Sequence, residues 1–381
     1  MSINLIATTT FGLEAVVKRE CQALGFENIK TSDGKVEFTG TEADIVKANM
    51  WLRCAGRVWV KMGTFKAVTF TELFDQTKAL PWADWIPEDG KFTVVGKSVK
   101  STLFSVSDCQ AIVKKAVVEK LKQTYHTDWF DETGASYTIQ VGILKDVVTL
   151  AIDTSGSGLH MRGYRANALD APLKETLASA MIQLSYWRKN RILLDPFCGS
   201  GTIPIEAAMI ARNIAPGIHR KFASEEWERI GKDLWKKARV EAYQAINYDV
   251  MPEIYGSDID PDAIELAKAN AEKAGVDDCI RFEVADAGKF HRDSEYGQLV
   301  TNPPYGERLL EKREAEALYR SFGKAARTLP AGWRGLVLSS HTEFERAFGR
   351  SAEKKRKLYN GMLKCDAFFY HGGAKTEPDK G

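Results

Sequence analysis

Asn302-Pro303-Pro304-Tyr305 brings together residue types able to hold a planar amine. Two consecutive prolines fix φ, remove two backbone donors and push Asn302 out of the helical region. The carbonyls of Asn302 and Pro303 then have no ladder to join. The Asn302 side-chain oxygen beside a backbone carbonyl makes a pair of acceptors, which suits an exocyclic amine with two N–H donors. Tyr305 adds a flat face on which a base can stack. Taken alone, the four residues serve equally as a turn at a strand end. Their chemistry therefore depends on what the chain places beside them.

A second candidate is Leu193-Leu194-Asp195-Pro196-Phe197-Cys198-Gly199-Ser200-Gly201-Thr202. Ile192 to Leu194 read as a short buried strand, and Thr202 to Ala211 as a helix with Pro204 in its first turn. The loop between them lets backbone approach a ligand at Gly199 and Gly201, and the helix start offers unpaired N–H groups. A dinucleotide fingerprint would place a third glycine where this chain has Pro204, which disfavours a nicotinamide oxidoreductase. Asp195 at the strand end suits a cationic ligand better than a phosphate.

Further polar residues follow in order. Asp258 ends a strand-like run and is placed to take ribose hydroxyls. Asp260 and Pro261 then cap and start an amphipathic helix to Ala274. A third strand, 280–287, carries Asp286. A fourth, Leu299-Val300-Thr301, leads into Asn302, and Gly335 to Leu338 form a fifth. Strands alternating with helices imply an α/β fold with a parallel, doubly wound, Rossmann-like sheet whose ligands sit at the strand carboxyl ends. Asp195, Asp258, Asp286 and Asn302 all fall on that edge. Each alone is an ordinary turn or cap residue; the argument lies in their order.

With these motifs, the chain resembles class I S-adenosylmethionine-dependent methyltransferases. More narrowly it resembles the THUMP-domain RNA methyltransferases of the RlmL/YpsC type, which make N2-methylguanosine in large-subunit ribosomal RNA. Three further stretches carry the narrower resemblance: 159–165, Ala171 to Ala178, and Lys357 to Cys365, the last resembling the family's C-terminal hairpin. The resemblance implies that Asp195 and the loop Phe197, Cys198, Gly199, Ser200, Gly201 and Thr202 hold the methionine moiety. It gives Asp258, with Ile259, the ribose and Asp286, with Ala287, the adenine amine. Asn302, Pro303, Pro304 and Tyr305 would hold the target base, with Asn302 also touching the cofactor. Asp195 and Asp258 lie 63 residues apart, against about 20 for a plain glycine-loop unit. The excess is an insertion at about 213–252, with Trp227 and Trp235 on a helical pattern.

The rest of the chain must position these groups and bring RNA to them. Residues 1–65 read as a ferredoxin-like module and, by resemblance, 66–153 as a THUMP RNA-binding domain. A linker at 154–170 leads to a methyltransferase domain at 171–375 and a polar tail at 376–381. Lys91, Lys97, Lys100, Lys114 and Lys115 are candidate RNA contacts, and Arg350 with Lys354 to Lys357 and Lys364 form a second basic concentration. The charge of the whole chain is only +2, from 53 basic and 51 acidic residues, so RNA binding requires a local basic face. Six scattered cysteines form no Cys-x-x-Cys pair, which argues against zinc sites and disulfides and for reduced, cytoplasmic thiols. Cys198 reads as a small loop residue, since no histidine lies near it. The chain shows no run of 18 apolar residues and no signal-peptide layout. The expectation is a metal-independent guanine-N2 methyltransferase of large-subunit ribosomal RNA that uses S-adenosylmethionine. The alternatives are N6-adenine methylation of RNA or DNA, and a non-catalytic RNA-binding or ribosome-assembly factor.

Overall fold

The structure, a computed structural model, describes residues 2–165, 173–306 and 309–371. Ala171, Pro172 and the tail 376–381 lie outside the described residues. The chain divides into two compact units: residues 1–9, 17–159 and 220–241 form one, and 10–16, 160–219 and 242–381 form the other.

In the first unit the elements run β1 (Ile3–Thr8), α1 (Glu14–Ala23, begun by residues of the second unit), β2 (Glu27–Ser32), β3 (Lys35–Gly40), α2 (Glu42–Trp51), β4 (Arg57–Lys66), α3 (Phe70–Lys78), β5 (Lys91–Val99), α4 (Val106–Tyr125), β6 (Ser136–Leu144) and β7 (Val147–Asp153). A single sheet joins them in the order β2-β3-β1-β4-β7-β6-β5, so both expected N-terminal modules share one hydrogen-bonded surface. β4 is the seam, pairing with β1 through Val60 and with β7 along its length. β2 and α3 escaped the sequence reading. β2 has no buried residue and hence no apolar alternation to detect.

Residues 220–241 of the expected insertion also belong to this unit. Trp227 stacks on Tyr137 with ring centroids 4.6 Å apart, and its indole N–H donates to the Ser136 carbonyl at 3.1 Å. Arg229 lies over Trp85 at 4.1 Å and pairs with Glu42 at 3.0 Å. Trp227 follows a 3-10 turn, Ala223–Glu226, so it does not share a helix with Trp235. The local sequence alternates too briefly there to sustain an α-helix.

The second unit contains α5 (Glu175–Leu184), β8 (Ile192–Asp195), α6 (Thr202–Ala211), β9 (Ile254–Asp258), α8 (Pro261–Ala274), β10 (Ile280–Val284), β11 (Tyr296–Thr301), α9 (Leu309–Ala326), β12 (Gly332–Ser339), α10 (Phe344–Phe348), β13 (Lys354–Asn360) and β14 (Leu363–His371); α7 (Lys232–Gln244) begins in the first unit. The sheet order is β10-β9-β8-β11-β12-β14-β13, with five parallel strands and an antiparallel hairpin at one edge. Local chemistry sets the ends as expected at α8: the Asp260 carboxylate accepts from the Asp262 N–H at 2.9 Å and Pro261 fills the first position. β10 stops at Val284, two residues before Asp286, which leaves that carboxylate on a loop. α9 and α10 cover one face through Tyr319, Phe322, Phe344 and Phe348, packed against Leu299, Val337, Phe368 and Tyr370.

On α6, Glu206 is fully buried beneath the glycine loop. It accepts from Arg162 at 3.3 Å and Tyr164 at 3.2 Å, and from Ser179. Arg165 donates to the Thr202 hydroxyl at 2.6 Å. A buried charge so fully bonded avoids the cost of an unpaired one and fixes the helix whose start carries the loop. No helix among the described residues is long and apolar enough to cross a membrane.

Candidate active site

The carboxyl ends of β8, β9 and β11 and the loop after β10 surround a cavity of about 380 Å³, lined by Phe197, Gly199, Asp258, Ile259, Asp286, Ala287, Asn302 and Pro304, together with Pro196 and Leu318. Four separate sequence motifs thus meet at one place. Pro196 and Leu318 had carried no signal of their own, and Leu318 arrives on α9.

The loop around the cavity is held by its own hydrogen bonds. The Cys198 N–H donates to the Ser257 carbonyl at 2.9 Å, and the Gly199 N–H to Asp258 Oδ2 at 3.0 Å. Gly199 (φ +50°) and Gly201 (φ +81°) both adopt left-handed backbone, for different reasons. A Cβ on Gly199 would meet nothing within 4 Å, whereas one on Gly201 would press on Ala267 at 3.0 Å and Phe282 at 3.1 Å. Gly199 keeps space open on the ligand side, and Gly201 lets α6 pack. Ser200 and Thr202 are buried; the Ser200 carbonyl accepts from the Asn270 side-chain amide at 3.0 Å, and the Thr202 hydroxyl accepts from Arg165. Cys198 is buried too, and burial beside Asp195 and Asp258 raises its thiol well above the ordinary range, which suits packing and not nucleophilic chemistry.

Asp195 sits deeper than the sequence suggested. It is fully buried and does not line the cavity. Its Oδ1 accepts from the Thr301 hydroxyl at 2.6 Å and the Phe197 N–H at 3.2 Å, while its Oδ2 has no hydrogen-bond partner. Burial pushes its pKa up to about 7 against the pull of those hydrogen bonds. Asp195 therefore links the glycine loop to the residue preceding Asn302 from beneath the cavity.

Asp258 Oδ1 accepts from the Asp260 N–H at 3.1 Å, so both carboxylate oxygens are oriented while retaining lone pairs. Asp286 is held by the Gly288 N–H at 2.8 Å and keeps 38% of its side chain exposed. Ile259, 73% exposed, supplies an apolar wall. An open glycine cradle, two oriented carboxylates and an apolar wall fit S-adenosylmethionine, whose nucleoside end offers hydroxyls and an amine.

The acceptor loop is tied down on three sides. The Tyr305 hydroxyl donates to Asn302 Oδ1, and the Cys365 thiol to the Tyr305 oxygen at 3.7 Å. Tyr319, buried on α9, donates to the Pro304 carbonyl at 2.5 Å. Pro303 is buried and Tyr305 is half-buried. An amide oxygen has two lone pairs. The Tyr305 hydroxyl takes one and thereby holds the rotation of the Asn302 amide. This orienting bond was not foreseen, nor were the roles of Thr301, Tyr319 and Cys365. Beyond Tyr305 lies a second cavity of about 530 Å³, which also borders Glu316 and His341.

The N-terminal lysines do not form one patch. Lys91 and Lys97 are exposed on edge strand β5, on the face opposite buried Phe92. Lys114 lies on α4, 6.0 Å over the Phe92 ring, and Lys115 lies 5.9 Å over Phe74. Lys100 follows the end of β5 in left-handed backbone.

A parallel sheet with a glycine loop after β8, carboxylates at the next two strand ends and an Asn-Pro-Pro-Tyr loop after β11 defines a class I methyltransferase. Residues 162–368 match the RMKL-like methyltransferase domain, residues 4–59 the RlmL ferredoxin-like domain and residues 67–153 the THUMP domain. The chain belongs to this family of S-adenosylmethionine-dependent methyltransferases. It is 52% identical over 379 residues to a Bacillus subtilis protein named as an RNA methyltransferase, YpsC, covering 99% of this chain and 97% of that one. It is 35% identical to the ribosomal RNA large subunit methyltransferase K/L of Psychromonas ingrahamii, across 95% of this chain but 49% of that protein. Among solved structures, SMU.472, named as a methyltransferase complexed with SAH, superposes with a TM-score of 0.92 at 41% identity, covering 98% of this chain and 99% of that one. A Listeria monocytogenes structure named as an N6-adenine-specific DNA methylase gives 0.93 at 50% identity, covering 98% and 97%.

Two outcomes are expected. The Asp195 carboxyl keeps its proton to about pH 7 when folded but loses it near the model-compound value of 3.8 when unfolded. Its stabilising contribution is therefore complete below 3.8 and lost as pH rises through 7. Asp195→Asn removes this titration, so the melting temperature of the ligand-free variant should gain on wild type between pH 5 and 8. A constant difference across that range contradicts the assignment. Separately, Tyr305→Phe keeps the ring but frees the Asn302 amide, and should lower kcat about tenfold with little change in KM. Wild-type kcat in that variant would leave the hydroxyl without an orienting role.

Proposed function

We propose that the protein methylates the exocyclic N2 of a guanine in large-subunit ribosomal RNA. The observation that supports the proposal is that Asn302 lines the cavity with its amide oxygen held by the Tyr305 hydroxyl. S-adenosylmethionine supplies a methyl group on a positively charged sulfur. In this reading Asp258 takes the ribose hydroxyls and Asp286 the adenine amine, and the loop 197–202 encloses the methionine end. Asn302 and Pro303 accept the two N–H bonds of the target amine. That contact holds the nitrogen in line with the methyl group and draws its lone pair out of conjugation with the ring. The amine lone pair would form the new N–C bond as the S–C electron pair stays with sulfur, and the extra amine proton would pass to solvent. No protein nucleophile takes part. Tyr305 borders the flipped base on the side of the second cavity, with unstacking offset by pocket contacts.

RNA as substrate is supported by the THUMP match and by the names of the YpsC and K/L relatives. The same acceptor pair suits the N6 amine of adenine, and the Listeria protein's name favours that second reading.

Nucleosides from ribosomal RNA of strains with and without the gene separate the readings by mass spectrometry. N2-methylguanosine should be lost with the gene and not restored by Asn302→Ala, which should lower turnover ~10²-fold or more while cofactor affinity stays within a few fold. Loss of N6-methyladenosine instead would overturn the guanine assignment, and near-normal activity of the variant would overturn the acceptor-loop mechanism.

A further inference from the structure

Two adjoining cavities open on the hairpin side of the catalytic sheet, of about 290 and 120 Å³, and they share Arg334, Gly335 and Tyr370. Their linings contain five cations, Arg327, Arg334, Arg350, Lys354 and Arg356, and no carboxylate. The whole chain holds 53 basic and 51 acidic residues, so a lining with five cations and no carboxylate is a local departure from its average, with Glu353 beside it, paired to Arg350. The cations surround aromatic rings: Lys354 Nζ lies 5.9 Å from the Phe369 centroid, and the Arg350 guanidinium 5.5 Å from that of Tyr370.

Three of the five are anchored. Arg327 donates to the Phe348 carbonyl at 3.0 Å, Arg356 to the Gly12 carbonyl at 2.5 Å, and Arg350 to the His371 carbonyl and to Glu353. Apart from the Lys354 contact with Phe369, the side chains of Arg334 and Lys354 make no hydrogen bond or ion pair with any described residue. Their sequence neighbours hide this grouping, because Arg334 enters on β12 and Lys354 on β13, with β14 between them. Arg334 lies opposite Gln298 on β11. That is four residues before Asn302, or roughly 13 Å along the strand.

We propose that this face is a second RNA contact of the catalytic unit, in which Arg334 and Lys354 neutralise backbone phosphates. The proposal rests on the RNA reading above and deepens it. Unpaired donors ringed by anchored guanidiniums suit a polyanion, and phosphates are the groups that fix an RNA's register without reading its sequence. An RNA that touches both this face and Asn302 must extend at least a few nucleotides beyond the modified one, so the substrate is an RNA strand and not an isolated base.

The test uses the full chain, with Arg334→Gln and Lys354→Gln singly and combined. Binding of an unmodified transcript of large-subunit ribosomal RNA is titrated at several salt concentrations, and S-adenosylmethionine affinity is measured by calorimetry. Each lost phosphate contact should lower the slope of log K against log salt by roughly 0.7–0.9. The double variant should bind RNA about tenfold more weakly at 0.15 M salt with cofactor affinity unchanged. RNA binding and slope equal to wild type would overturn this contact alone. A wild-type protein that binds no RNA would overturn the RNA reading, and the contact with it.

Discussion

The bond from Thr301 to Asp195 is the constraint on which the catalytic arrangement depends. The two residues end adjacent parallel strands, and each precedes a functional loop. One hydrogen bond therefore sets the spacing between the glycine loop and the loop that carries Asn302. Burial makes the bond costly to lose, because the Asp195 carboxyl has no water to turn to. The rest of the unit reinforces it. The Glu206 network fixes α6 from below, and Tyr319 brings the α9–α10 core to bear on Pro304.

Much of this was legible because parallel sheets put function at strand ends. A carboxylate or amide closing each successive strand marks the working edge whatever lies between, so a 63-residue gap did not obscure Asp258. The glycines were legible as close approaches, although their division into one open cradle and one packing contact needed the neighbours Ala267 and Phe282. The inward turn of Asp195 was not legible. It depends on Thr301, 106 residues later, and sequence carries no local mark of such a partner. The bond from Tyr305 to Asn302 spans three residues, yet it depends on how two prolines fold the loop back.

The insertion shows the same limit. Trp227 and Trp235 read as sharing a helical pattern, which gave no sign of what Trp227 packs against. The destination is Tyr137, 90 residues upstream, and with it the unit that carries the THUMP match. The lysines of β5 and α4 separate because Lys91 and Lys97 face away from Phe92 while Lys114 lies over its ring.

A double-mutant cycle on turnover tests the central claim most directly. Asp195→Asn, Thr301→Val and the double variant are compared at saturating RNA and S-adenosylmethionine. If one bond sets the spacing of the two loops, the double variant should be little slower than the slower single one, with a coupling of about 1 kcal/mol or more. If the two losses simply multiply, the loops are positioned independently and the account is wrong.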